Sequence, residues 1–130
     1  MRYLVDSDYL VDALVGIPSA TILIEGLAGD GVGISIVSYG EVFEGAFSDT
    51  DPKPRLTQIR AFLARFALID LSDPIMEHFA RVRTDLRRQG MLIPDLDLLI
   101  ATTALYHDLA LVTRNLRHFA RIPDLTLHQP

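Results

Sequence analysis

Strands that alternate with amphipathic helices, strand segments built from apolar and β-branched residues, and a length suited to one core predict an α/β protein. The expected architecture is a three-layer α/β/α sandwich around a central parallel sheet of four to five strands. The 130 residues, 49% hydrophobic and 22% charged, fit a single domain over 1–130 and lie well away from the composition of disordered chains.

The first element is a short buried strand, RYLV at 2–5, after which Ser7 is placed to cap a helix running to about Leu14. Gly16 and Pro18 end that helix, and a second from about Ser19 to Leu27 stops at GDGVG. The run VGISIV (32–37) reads as strand two, with Ser38 opening the next helix. A loop from Asp51 to Pro54 carries two prolines; beyond it Leu56, Ile59, Leu63 and Phe66 recur at helical spacing. ALIDL (67–71) is strand three. Ser72 caps a long helix whose apolar stripe is Ile75, Phe79, Val82 and Leu86, and Gly90 terminates it. Pro94 suits the first turn of a helix reaching about His107, LALVT (109–113) is strand four, Asn115 to Phe119 is a short helix or turn, and LTLHQ (125–129) is a small terminal strand.

Composition narrows the function. No stretch approaches the ~20 apolar residues of a membrane span, and MRYLVDSD places acids where a signal peptide needs its apolar centre, so a cytoplasmic protein with no membrane partner is expected. The absence of cysteine removes thiolate zinc sites and cysteine nucleophiles. A net charge of −5 argues against nucleic-acid binding through counterion release alone. The cations are nevertheless almost all arginine, with Lys53 the single lysine, and they cluster: Arg81, Arg83, Arg87 and Arg88, then Arg114, Arg117 and Arg121. Any anion contact would use the planar, bidentate guanidinium.

In open parallel sheets, ligands bind beyond the carboxyl ends of the strands. Asp6 follows strand one, Glu41 lies one turn into the helix after strand two, Asp97 sits in the first turn of the helix leading into strand four, Thr113 ends that strand and Asn115 lies two residues beyond it. Three converging carboxylates repel one another unless a cation or protonation offsets the charge, and Mg²⁺ takes such oxygen ligands together with water and phosphate. Each residue also has a plainer role. Asp6 could cap the following helix, as could Ser7 or Asp8; Ser38-Tyr39-Gly40-Glu41 fits a capping box; Asp95 and Asp97 both suit a helix N-terminus. Thr113 and Asn115 could cap the short helix. The arginine-rich helix face would ordinarily be solvated, and His78, His107, His118 and His128 show no metal-ligand spacing and read as structural or surface residues.

VDSDYLVDALVG, SIVSYGEVFEGA and IPDLDLLIATTALYHDLALVTRNLRHFARIPDLTL together resemble the PIN-domain ribonucleases, and among them the VapC toxins of bacterial type II toxin–antitoxin systems. The likeness covers essentially the whole chain, and the order of an acid before LLIA and then LVTRN-x-RHF is its specific part. It implies a PIN-like sandwich whose catalytic set is Asp6, Glu41, Asp97 and Asn115. The first three would be metal ligands for Mg²⁺, with Mn²⁺ as a substitute. Asp97 matches rather than Asp95 because it directly precedes LLIA. Many members carry Asp at the fourth position, so Asn115 is a departure that weakens the case for a second tightly held ion. Thr113, Arg114 and Arg117 would contact substrate. The resemblance further implies endonucleolytic RNA cleavage leaving a 5′-phosphate, a VapB-like antitoxin whose arginine pairs with the carboxylates, and a homodimer to which Leu10 and Leu14 could contribute.

Two other readings stand beside it. A catalytically weak PIN-like module held by an antitoxin would have the same sequence features. A phospho-accepting receiver domain would use Asp70 at the end of strand three, but it needs a lysine beyond the last strand and Lys53 lies in a loop between helices.

Overall fold

The computed structural model of the chain describes residues 1–129. Four strands, β1 (Tyr3–Val5), β2 (Val32–Ser35), β3 (Ala67–Ile69) and β4 (Ala110–Val112), form an all-parallel sheet in the order β3-β2-β1-β4. Helices α1 (Ser7–Leu14), α2 (Pro18–Leu27), α3 (Ile36–Ala46), α4 (Lys53–Leu63), α5 (Asp73–Arg88), α6 (Asp95–Tyr106) and α7 (Leu116–Phe119) connect them, with a 3-10 turn at Ala28–Asp30. The predicted α/β/α sandwich is present. The expected fifth strand reduces to an isolated parallel bridge between Leu127 and Leu111.

The period of two in β-strands separates two cores. Leu4 and Leu111 face a layer built on Ile93, Leu98, Ile100, Ala101 and Phe119, whereas their neighbours Val5 and Val112 face Leu10, Ile24, Val42, Ile59 and Leu63. Helix α6 is the most enclosed element: Leu98 and the run Ile100–Ala104 are all fully buried. Its buried threonines stay satisfied because the Thr102 and Thr103 hydroxyls donate to the Leu98 and Leu99 carbonyls at 3.0 and 2.8 Å. At the entry to β2, Gly31 has φ +87° and accepts hydrogen bonds from the Arg2 and Tyr3 amides; a Cβ there would stand 2.7 Å from Met1 Cα. Only glycine combines that backbone with so close an approach.

Several element limits differ from the sequence expectation for identifiable reasons. The run VGISIV does not continue as strand to Val37: Ser35 caps α3 by accepting from the Val37 amide at 3.1 Å, and Ile36 is already helical. Local β-propensity yields there to capping and packing. Ser38 consequently lies inside α3, fully buried, with an Oγ that has no partner among the described residues. Asp6, not Ser7, caps α1, accepting from the Ser7 amide at 2.8 Å. Pro94 is the residue before α6 rather than part of its first turn. Ser72 caps α5 as expected.

The sheet order fixes where a ligand belongs. Successive strands run outward from β1 to β2 to β3, and the chain then returns to place β4 on the other side of β1. The carboxyl ends of β1 and β4 therefore form the topological switch point.

Candidate active site

At that switch point the Asp6 amide continues the β1–β4 ladder by donating to the Val112 carbonyl at 2.9 Å, which directs its side chain over the strand ends. Asp6 is buried, at 5% exposure. Its Oδ1 accepts from the Ser7 amide, and its Oδ2 accepts from the Thr113 hydroxyl at 2.7 Å. Burial is the main cause that pushes its carboxyl up to about 6; Asp8 and Asp97 add to the rise, while the Thr113 and Ser7 hydrogen bonds oppose it.

Glu41 lies on α3, where its Oε1 accepts from the Ser7 hydroxyl at 3.1 Å. Burial raises its carboxyl above the ordinary value, the Ser7 bond lowers it, and Asp97, Glu44 and Asp8 push it upward. The capping-box alternative for Glu41 is overturned: with Ser35 as the cap, Ser38 rather than Glu41 occupies the third helical position where the box needs its carboxylate.

Asp97 occupies the first turn of α6. Its Oδ2 lies 3.4 Å from Asn115 Nδ2 and 3.0 Å from His118 Nδ1. His118 was expected to be structural or superficial, and the fold brings it into the site instead. A signal for it exists in the sequence, because Asn115 and His118 are three residues apart and share one side of a helical turn.

The expected neighbours divide. Asp8 is occupied by the loop after β4, accepting from the Arg114 amide at 2.8 Å and the Thr113 hydroxyl at 3.3 Å. Asp95 pairs with Arg83 at 2.8 Å on the outer surface. Arg114 pairs with Asp12, and its guanidinium lies 4.4 Å from the Tyr9 ring centroid, while Arg117 is exposed on α7. Leu10 is fully buried in the core and has no face for a second copy; Leu14 is half-buried.

The Asp97 charge contributes to the rise of both Asp6 and Glu41, so the three acids lie within reach of one another's field. Among the described residues, however, no three His, Asp or Glu side chains are brought close enough together to hold a metal ion. The donor set still suits a hard cation that keeps several waters, because every donor is a carboxylate oxygen. Glu41 Oε2 and Asp97 Oδ1 carry no protein hydrogen bond among the described residues.

The PIN-domain family model matches residues 3–125. The chain belongs to the PIN-domain family. Ribonuclease VapC2 of Rickettsia felis is 32% identical over 96 residues, 74% of this chain and 72% of that protein. The tRNA(fMet)-specific endonuclease VapC of Salmonella typhimurium is 31% identical over 94 residues, 72% and 71% of the two chains. The crystal structure of VapBC2 from Rickettsia felis bound to a DNA fragment from their promoter superposes with TM-score 0.90 at 30% identity, covering 98% of each chain. PIN-domain ribonucleases are metal-dependent as a class, and membership in the family removes the receiver reading. Among the described residues no single helix is long and apolar enough to cross a membrane.

Proposed function

We propose that this PIN domain is a Mg²⁺-dependent endoribonuclease and the toxin of a type II toxin–antitoxin pair, working in the cytoplasm. The observation that carries the reading is the placement of Asp6, Glu41 and Asp97 at the β1/β4 switch point, with Asp6 buried among other acids. Asp6 and Asp97 would hold the ion directly or through water, with Glu41 beside them. A divalent cation there supplies charge neutralisation at the phosphate and a lowered pKa for the attacking water. Glu41, held through Ser7, orients that water or receives its proton. Thr113 fixes the Asp6 carboxylate, and Asn115, whose side chain lies against Asp97 and His118, positions substrate or solvent beside them. Arg117 is exposed for phosphate, and Arg114 joins it on exchanging Asp12 for substrate.

A VapB-like antitoxin is the proposed partner. The groove beside Glu41, lined by Val11, Leu14, Val15, Val42, Ala46 and Ile59, offers an apolar seat from which a peptide arginine reaches the carboxylates. Homodimerisation belongs to the same reading, and sedimentation of the isolated chain checks it. The catalytic reading is tested by incubating structured RNAs with the protein at varied Mg²⁺ and with EDTA. Cleavage is expected only with the metal, and Asp6→Asn and Asp97→Asn are each expected to lower its rate at least ~100-fold. Undiminished cleavage by both variants would sink the assignment. A wild type that cuts no RNA in the presence of metal would favour the non-catalytic module.

A further inference from the structure

We infer that His118 is a positioning residue for Asp97, donating its Nδ1 proton to Oδ2 and so leaving Oδ1 available to a cation. The inference rests on the metal-dependent reading above and adds to it a residue that no acidic pattern selects.

The two side chains lie 3.0 Å apart although they are separated by 21 residues in sequence. A carboxylate oxygen at that distance calls for a proton on the facing nitrogen, which assigns the ring hydrogen to Nδ1. Asn115 Nδ2 reaches the same oxygen at 3.4 Å and stands 2.8 Å from the ring nitrogen. A protonated Nδ1 cannot accept from an amide nitrogen 2.8 Å away, so the Asn115 amide turns its oxygen to the ring and His118 is the donor to Oδ2, whereas Oδ1 has no protein partner among the described residues. The segment carrying His118 is anchored. Asn115 precedes α7, its backbone amide donates to Thr113 Oγ1 at 3.1 Å, and Thr113 Oγ1 in turn donates to Asp6. His118 lies in the same short helix, whose next residue, Phe119, is fully buried in the core. The route from Asp6 through the Thr113 hydroxyl, the Asn115 backbone and His118 to Asp97 therefore joins the two carboxylates. Asn115 and His118 rather than acids on this flank leave no further carboxylate there for a second ion, in keeping with one ion per chain.

Partners that orient a metal's ligands commonly change affinity ~10–100-fold when removed. The test is calorimetric titration of Mn²⁺ into the RNA-free chain, comparing wild type, His118→Leu, His118→Asn and His118→Gln. Asn keeps an N–H near the Nδ1 position and Gln places it farther out. One ion per chain is expected for wild type. Affinity is expected to fall ~10-fold or more in His118→Leu and His118→Gln and to return to within a few-fold in His118→Asn. In cleavage assays the same variants should shift the Mg²⁺ concentration for half-maximal rate, with kcat at saturating metal much less affected. If His118→Leu does not fold, the contrast between the Asn and Gln variants decides the matter. Equal affinity in His118→Gln and wild type, or equally weakened binding in the Asn and Gln variants, overturns the role of His118 while the metal reading stands. A wild type that binds no Mn²⁺ overturns both.

Discussion

Asp6 is held away from its preferred ionisation state by its own surroundings. Its folded carboxyl titrates at about 6 against an ordinary value of 3.8. Below about pH 4 both folded and unfolded chains carry the proton and this residue costs nothing. Between about 4 and 6 the unfolded chain releases it first, so stability falls as pH rises, and above 6 the loss is complete. The shift corresponds to about 3 kcal/mol as an upper figure. In EDTA, the stability of wild type relative to Asp6→Asn should therefore decline from pH 4 to 6 and stay flat above, as read from urea midpoints at each pH. Asp6→Asn should be the more stable apo protein at pH 7.5, and Mg²⁺ should reverse that order. Equal pH dependence in the two proteins would mean that burial of Asp6 carries no such cost.

How legible residues of this kind were depended on whether their role was local. Asp6 and Asp97 could be placed from the sequence because position relative to a strand or helix end sufficed. The contact of His118 with Asp97 could not, since it is made by two elements meeting in space; the three-residue interval from Asn115 was its only trace. Leu10 failed in the opposite sense: an apolar residue in a first helix offers no sign of whether it faces the core or a second copy.

Helix α3 illustrates where one element gives way to the next. The run VGISIV favours extended backbone at every position, and what ends the strand is the Ser35 side chain turning back onto the Val37 amide. Removing that cap in Ser35→Ala should cost about 1 kcal/mol. Ser38 is the converse case, a buried hydroxyl with no partner among the described residues, in a helix it does not cap. Ser38→Ala should raise stability by about 1 kcal/mol, because an unsatisfied buried polar group is exchanged for a methyl of similar size. Denaturant melts of the two variants at constant m-value give both signs in one comparison. A loss of stability in Ser38→Ala would mean that its hydroxyl has a partner such as an ordered water.

At the scale of the molecule, alternation of strands and helices was enough to foresee the sandwich and its functional edge. It did not reveal that β1 lies beside β4, the pairing that joins Asp6 to Thr113 and hence to Asn115. Strand order is a matter of long-range pairing, to which local pattern is blind. The charge distribution also acts at this scale. A chain of net charge −5 must hold RNA through local cations, and Arg83 pairs with Asp95 and Arg114 with Asp12, whereas Arg117, next to His118 in α7, is exposed and forms no ion pair among the described residues. Arg117→Ala should weaken RNA binding by a few-fold and lower the salt slope by about 1, measured on the uncleaving Asp6→Asn background. An unchanged slope would place the RNA track elsewhere.

Location of the cation itself is the decisive quantity. Fe²⁺ substituted into the protein, with ascorbate and peroxide, generates radicals that cut the polypeptide beside the bound ion, and mass spectrometry maps the cuts. They are expected next to Asp6, Glu41 and Asp97 and should be suppressed by Mg²⁺. Cuts that map elsewhere, or that Mg²⁺ leaves unchanged, would show that these carboxylates do not hold the metal.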